Sequence, residues 1–88
     1  IHSIYPNPFN PVTNIIYGLP EHVNVQILVY DLSGKKVETL KNEFQTPGYH
    51  LLKWNADNHY GQKVPSGLYL YCMVTKEERK IKKLVLLN

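Results

Sequence analysis

The segment at positions 5–11, Tyr-Pro-Asn-Pro-Phe-Asn-Pro, restricts the fold most, because it places three prolines in seven residues. Each proline fixes its own φ angle, removes an amide donor and disfavours a helical conformation in the preceding residue. The segment can therefore be neither a helix nor a central strand. A stiff linker is one interpretation, but Tyr5 and Phe9 are unusual in linkers. We predict an extended arm, residues 1–11, that packs across the start of a domain.

The size and composition of the chain indicate one small folded domain, because it has 88 residues and an apolar fraction of 43%. No apolar run reaches the roughly 20 residues that span a bilayer. The start at Ile1 has neither an initiator methionine nor the basic and apolar regions of a signal peptide, which predicts a fragment of a longer protein. Cys72 is the only cysteine, so a disulfide within the chain is impossible.

The basic residues are unevenly distributed, with half of the ten lysines and arginines lying at positions 76–83. Glu77 and Glu78 interrupt this cluster. Mixed-sign charge runs are typical of exposed surface, whereas a nucleic-acid-binding domain usually has a basic stripe. The cluster therefore predicts a solvated hairpin turn, and we expect no nucleic-acid partner.

Alternation of apolar and polar residues with a period of two dominates the chain after the arm. Six predicted strands follow from it, separated by turn residues: 15–19, 23–29, 35–40, 49–55, 68–75 and 81–87. No segment has helical spacing. The pattern predicts an all-β fold, an antiparallel β-sandwich formed by residues 12–88. Trp54 is expected at the centre of its core, with Tyr17, Tyr69 and Ile27 as neighbours.

The residues that could perform chemistry do not form a recognisable site. Carboxylates are scattered, and no serine has the flanking glycines of a nucleophile elbow. His50 alternates with core residues and has no second ligand at metal spacing, which favours a structural role. The loop at 57–61 has too few carboxylates for a calcium loop, and Cys72 is expected to be a small buried side chain. We predict no catalytic residue, no metal site and no cofactor.

The end of the chain breaks the alternation, because residues 84–87 are consecutive leucines and a valine. One interpretation is a strand buried on both sides by the sandwich and the arm. The alternative is that one face or one edge stays available, since an apolar edge strand offers backbone donors and acceptors to a partner. Lys82 and Lys83 at its start would prevent unspecific pairing and could contact an acidic receptor surface.

Several motifs together resemble one known family. They are, in order, the arm with Val12-Thr13, Ile15-x-Tyr17-x-Leu19-Pro20, Val29-Tyr30-Asp31-x-x-Gly34-x-x-Val37, Gly48-x-His50-x-x-x-Trp54, Pro65-Ser66-Gly67-x-Tyr69-x-Tyr71 and Lys82-Lys83-Leu84-Val85-Leu86. This series is similar to the C-terminal sorting domains of the type IX (Por) secretion system, over nearly the whole chain. It also resembles the immunoglobulin-like domain of flagellar hook-capping proteins.

The resemblance implies an immunoglobulin-like sandwich of six to seven strands and a non-catalytic export signal. Such domains follow a cargo protein, pass the periplasm and the outer membrane, and are usually removed by a surface peptidase. The family resemblance assigns translocon recognition to seven residues: Gly67, Tyr69, Lys82, Lys83, Leu84, Val85 and Leu86. Two positions depart from the family pattern. Asn55-Ala56 replaces a common Asp-Gly, and Cys72 replaces a common basic residue.

An alternative function is an accessory or spacer module of a secreted surface enzyme, which packs on the catalytic domain or binds polysaccharide. Exposed aromatic side chains in a planar row would favour this alternative, and Tyr30, Tyr49 and Tyr60 are the candidates. The apolar terminal strand also predicts weak homodimerisation by strand pairing.

Overall fold

The computed structural model describes residues 3–9 and 11–87, and it contains seven strands in this part of the chain. Their bounds are β1 Ser3–Tyr5, β2 Thr13–Leu19, β3 Val23–Asp31, β4 Lys36–Gln45, β5 Gly48–Trp54, β6 Gly67–Val74 and β7 Arg79–Leu86. Two antiparallel sheets form a sandwich, a three-stranded sheet in the order β1-β2-β5 and a four-stranded sheet in the order β4-β3-β6-β7. The predicted all-β sandwich is confirmed.

Strict alternation in β2 and β3 produces the inner faces of the two sheets. Every second residue of β2, from Thr13 to Leu19, is buried, and so is every second residue of β3 from Val23 to Val29. Because successive side chains of a strand point to opposite faces, these residues meet between the sheets. The two sheets therefore share one apolar core.

The strand predicted at 35–40 is the least accurate prediction, because β4 continues to Gln45. Its pairing with β3 shifts register twice, between Ile27 and Leu28 and between Val29 and Tyr30. Each irregularity adds a residue to one strand and interrupts its alternation. The period-two pattern is lost beyond Leu40 for this reason, although the hydrogen-bonded ladder continues.

Trp54 is fully buried in this core, as predicted. Its ring centroid lies 5.8 Å from that of Tyr69 in an edge-to-face arrangement and 5.6 Å from that of Phe9. Tyr17 and Ile27 belong to the same cluster, but Tyr17 stacks on His50. Phe9, which comes from the arm, is the aromatic neighbour that the strand pattern did not identify.

The arm crosses from one sheet to the other along one side of the sandwich. Within the arm, Ser3–Tyr5 forms β1, which pairs with β2. Thr13 is the one buried polar residue in the described part of the chain, and its hydroxyl donates to the Pro6 carbonyl over 2.6 Å. Phe9 then reaches β7, where it forms a parallel bridge with Leu86. The division of the chain at residue 11 stays a prediction.

Candidate functional site: the terminal hairpin

Strands β6 and β7 form an antiparallel hairpin that contains all seven residues of the predicted recognition set. Gly67 pairs with Leu86, Tyr69 with Leu84, and Lys83 with Leu70. The connecting turn is closed by the Thr75 amide, which donates to the Glu78 carbonyl over 2.9 Å. Its charged side chains are exposed and include the ion pairs Lys76–Glu21 and Lys80–Glu78. The solvated hairpin turn is confirmed, and the motifs that are distant in sequence lie side by side.

Three members of the set, Tyr69, Leu84 and Leu86, point into the core and are almost completely buried. The Tyr69 hydroxyl donates to the Pro65 carbonyl, which fixes the ring against the loop before β6. Burial, followed by the nearby charge of Asp31, raises the pKa of this phenol above its usual value. These three side chains shape the hairpin, and a receptor cannot touch them while the domain is folded.

The other members are accessible or partly accessible. Lys82 and Lys83 are exposed and Val85 is partly buried. By strand alternation, Lys83 and Val85 project from the outer face of the sheet, whereas Lys82 lies on the side of Leu84. Gly67 has a φ of 149°, a value that side-chain-bearing residues rarely adopt, and an added Cβ would meet no atom within 4 Å. Glycine is therefore required by the backbone conformation and not by crowding.

The arm closes the outer edge of β7 from Lys83 to Leu87. The Asn7 side chain donates to the Lys83 carbonyl over 2.9 Å and accepts from the Val85 amide over 3.0 Å. The Phe9 amide donates to the Val85 carbonyl over 2.9 Å, and the Phe9 carbonyl accepts from the Leu87 amide over 2.8 Å. For these residues the structure favours the first interpretation of the terminal segment, a strand covered by the sandwich and the arm.

The first half of β7 has a different environment. Backbone groups along one edge of a strand belong to alternate residues, so Arg79 and Ile81 direct theirs to the same side as Val85. Among the described arm residues, hydrogen bonds to β7 begin at Lys83. The Ile81 side chain is 57% exposed. An open edge therefore remains at Arg79–Lys82, which carries the basic side chains.

Asn7 and Phe9 are contacts of this site that sequence reasoning did not assign to it. The sequence contained a signal for each, because asparagine in a proline-rich run often satisfies backbone groups and an aromatic residue in such a run needs a place to pack. Neither signal identified the partner, which lies more than 70 positions away in the chain.

His50 and the loop at 57–61 have structural contacts. His50 stacks on Tyr17, and one of its ring nitrogens lies 2.8 Å from the Thr46 carbonyl. In the loop at 57–61, the side-chain oxygen Oδ1 of Asn58 accepts hydrogen bonds from the backbone amides of Tyr60 and Gln62. Within residues 3–9 and 11–87, no cluster of three or more histidine, cysteine or acidic side chains has metal-binding geometry. The same ranges contain no helix that is long and apolar enough to cross a membrane.

The three tyrosines considered for polysaccharide binding do not form a planar row. Tyr30 lies on β3 in the four-stranded sheet, Tyr49 on β5 in the three-stranded sheet, and Tyr60 in the loop beside His59. They face different sides of the sandwich because the chain places each on a different element. The condition that would favour the glycan-binding alternative is not met.

At the first departure from the family pattern, Ala56 occupies the position after Asn55 with a φ of 59°. This is the left-handed conformation that glycine adopts most easily, and here an alanine adopts it. The second departure, Cys72, is buried as predicted, but it lies on the outward side of β6, between Leu28 and Ile81.

The family described as secretion system C-terminal sorting domain matches residues 3–87, from β1 through the end of β7. The chain belongs to this family. Members of the family are non-catalytic C-terminal signals of type IX secretion, and they mark proteins that are exported across the outer membrane to the cell surface or the extracellular space. No curated protein sequence matches the chain.

Solved structures share the fold of this sorting domain. It superimposes on dimeric latent PorU from Porphyromonas gingivalis with a TM-score of 0.76 and 21% identity, covering 97% of this chain and 9% of PorU. PorZ, a surface component of the type IX secretion system of the same organism, superimposes with a TM-score of 0.65 and 23% identity. The match covers 98% of this chain and 11% of PorZ. FlgD from P. aeruginosa superimposes with a TM-score of 0.65 and 23% identity, and the match covers 84% of this chain and 59% of FlgD. The sorting domain thus spans about a tenth of the PorU and PorZ chains.

Proposed function

We propose that this domain directs an N-terminal cargo through the type IX translocon, that the translocon reads the terminal hairpin, and that a surface peptidase then removes the domain. The family match over residues 3–87 is the observation that carries this proposal. It includes both strands of the hairpin, on which all seven predicted recognition residues lie. The cargo and its activity lie outside this chain.

The hairpin offers a receptor two kinds of contact, at the open half of β7 and at the exposed side chain of the adjacent Lys83. Lys82 and Lys83 supply positive charge for an acidic surface. The outward backbone groups of Arg79 and Ile81 are available for strand addition, in which main-chain hydrogen bonds supply affinity and side chains supply specificity. Tyr69, Leu84 and Leu86 act indirectly, because their burial holds the two strands in register.

The hydrogen bonds of the arm bear on where the domain would be removed. Peptidases bind their substrates in extended, accessible form. Residues 3–9 are held by β2, by the Thr13 hydroxyl and by β7. We therefore expect the peptidase to cut on the N-terminal side of Ser3 while the domain remains folded.

A reporter fusion tests the export function. The domain is attached to a periplasmic reporter in a type IX-competent host, and the extracellular fraction of the reporter is compared with and without residues 81–88. Export that depends on these residues is expected. Equal retention of both fusions inside the cell would contradict the proposal.

Deletion of 81–88 also removes Leu84 and Leu86 from the core, so a second variant separates recognition from folding. Lys82→Glu combined with Lys83→Glu reverses two exposed charges and leaves the core intact. We expect it to reduce export at least fivefold, because unlike charges at an interface steer and fix the partner. Lys35→Glu combined with Lys53→Glu is the matched control, since both lysines are exposed and lie outside the hairpin. Equal export of the two double variants would show that the translocon does not read the terminal lysines.

Weak homodimerisation through the terminal strand stays a prediction, and we expect it at the open edge of β7. Strand pairing between two copies would have to use Arg79–Lys82, because the arm already pairs with the backbone from Lys83 onward. The basic side chains there oppose close approach of two copies. Light scattering at increasing protein concentration tests it, and a strict monomer would contradict it.

A further inference from the structure

Strand β6 is apolar on both faces, which is unusual for a strand of a two-layer sandwich. Tyr69, Tyr71 and Met73 point into the core. The residues between them, from Leu68 to Val74, point outward and are also apolar. Antiparallel sheets with one solvated face normally alternate apolar and polar residues. The outward side of β6 therefore has the composition of a covered surface.

The pairing of β6 with its neighbours extends this surface across three strands. Leu28 of β3 and Ile81 of β7 flank Cys72, and Val85 of β7 lies beside Leu68. Cys72 is only 3% exposed although it points outward, so the flanking side chains cover it. We call this surface the outer apolar stripe, and its central residues are Leu28, Leu68, Leu70, Cys72, Ile81 and Val85.

Basic side chains share the outer face with the outer apolar stripe, two at its border and one, Lys83, between Ile81 and Val85. By register, Lys36, Arg79 and Lys83 project from the same face of the sheet. The outward-facing residues of β3, β4, β6 and β7, all of them in the described part of the chain, include no aspartate or glutamate. An apolar centre with a rim of one charge sign is typical of a surface that recognises a partner.

We propose that the outer apolar stripe docks on a protein of the export machinery whose own surface is apolar and rimmed by carboxylates. This inference rests on the proposed export function and identifies the face that the machinery contacts. The stripe is continuous with the open edge of β7, so one partner can engage both. A second copy of the domain is a poor occupant, because face-to-face pairing would bring two sets of like charges together.

The dimensions of the stripe indicate a transient contact. Three strands at about 4.8 Å spacing and six residues at about 3.4 Å give a patch of about 10 by 20 Å. This is well below the roughly 800 Å² that each partner buries in a stable complex. A sorting signal has to be released after transport, and a small interface permits fast dissociation.

Binding to outer-membrane vesicles tests the inference directly. The fluorescently labelled domain is titrated with vesicles from a type IX-competent strain, with vesicles from the same strain lacking the translocon, and with anionic liposomes. We expect binding to the first alone, weakened by raising the salt concentration because the rim is charged. Equal binding to translocon-free vesicles or to liposomes would overturn the inference in favour of a lipid surface.

Two matched variants locate the contact. Ile81→Glu places a charge in the stripe, and Leu51→Glu places one on the outer face of the three-stranded sheet, where Leu51 is 68% exposed. We expect Ile81→Glu to weaken vesicle binding at least fivefold and Leu51→Glu to leave it unchanged. Thermal midpoints show whether both variants are folded, and Lys36→Glu with Arg79→Glu tests the rim without touching the apolar centre. Equal binding of the Ile81 and Leu51 variants would overturn the inference.

Export of the reporter by the same variants separates this inference from the proposed function. If the unmodified domain exports the reporter and Ile81→Glu does so equally well, the stripe is not the docking face, whereas the export function stands. If the unmodified domain exports nothing, the proposed function fails and the stripe has no role in export.

Discussion

The two halves of β7 are one continuous strand with opposite environments. In Lys83–Leu86, the side chains of Leu84 and Leu86 are buried and the arm occupies the strand edge. In Arg79–Lys82, every side chain is exposed, and the described arm residues, 3–9 and 11, make no hydrogen bond there. The second half of β7 thus attaches the hairpin to the core, whereas the first half is accessible to a partner. A signal that has to fold and also be read can divide these two tasks along a single strand.

The division also explains why truncation data alone cannot locate a recognition residue here. Removing the anchored half destabilises the whole domain, because it removes core side chains. Removing charges from the open half leaves the core unchanged. Variants that keep the fold are therefore needed to separate stability from recognition.

The largest expected difference between the halves comes from truncating one side chain in each. Leu84→Ala should lower the free energy of unfolding by about 2–5 kcal/mol, because it leaves a cavity in the core. Ile81→Ala should change it by less than about 0.5 kcal/mol, because Ile81 is largely exposed. Urea denaturation measures both. Similar losses for the two variants would show that the open half also carries stability.

Removing the arm contact should have a smaller effect. Asn7→Ala deletes both side-chain hydrogen bonds to β7, for an expected loss of about 1–2 kcal/mol. Asn7→Asp keeps the acceptor for the Val85 amide and should lose less. Amide hydrogen exchange at Val85 should accelerate in Asn7→Ala, and exchange at Ile81 should not change. Unchanged exchange at Val85 would mean that the arm does not close this edge.

The glycine opposite Leu86 tests the backbone at the anchored end of the hairpin. Gly67→Ala should cost about 1–2 kcal/mol through its φ angle, although the added methyl group meets no neighbour. Ser66→Ala, at the adjacent exposed position, is the control, with an expected change below about 0.5 kcal/mol. Thermal unfolding of the two variants gives the comparison, and equal midpoints would contradict the conformational argument.

The smallest effect concerns Tyr71, which pairs with Lys82 beside the open half. Its hydroxyl is buried and has no hydrogen-bond partner among the described residues, so Tyr71→Phe should leave stability at pH 7 nearly unchanged or slightly higher. Burial raises the pKa of Tyr71 far above its usual value.

The sign of the resulting pH dependence follows from the raised pKa. The folded state keeps the phenol proton above pH 10, whereas the unfolded state releases it, so stability is complete below pH 10 and falls as the pH rises further. When the pH is raised from 8 to 10.5, the free energy of unfolding of Tyr71→Phe should fall by about 1 kcal/mol less than that of the unmodified domain. Both proteins should keep some dependence of stability on pH, because burial also raises the pKa values of Tyr17 and Tyr69. Identical pH profiles would contradict the assignment.

Much of the fold could be predicted from the sequence because the pattern of side chains is local. The alternation in β2 and β3 identified their inner faces, and Trp54 was correctly expected in the core. β4 was predicted too short because its irregular pairing depends on β3 and is not encoded in its own alternation. The sequence did not identify β1 as a strand within the arm, because three residues are too few for a periodic signal.

The candidate site was predictable only in part. The resemblance identified the residues of the hairpin, but it could not distinguish Lys83, which is exposed, from Leu84, which is buried. A family pattern marks all residues of a motif alike, whether their side chains contact the core or a partner. Burial depends on what lies opposite each residue, and this requires the register of β6 against β7.

The sequence by itself determined most of the strands, the turns and the family, because apolar periodicity, glycines and prolines act over a few neighbouring residues. Only the tertiary structure decided which part of the terminal strand is accessible. Asn7 and Phe9 close the edge of Lys83–Leu87 from the opposite end of the chain. Contacts between residues so far apart depend on how the two sheets pack, and no local pattern contains that information.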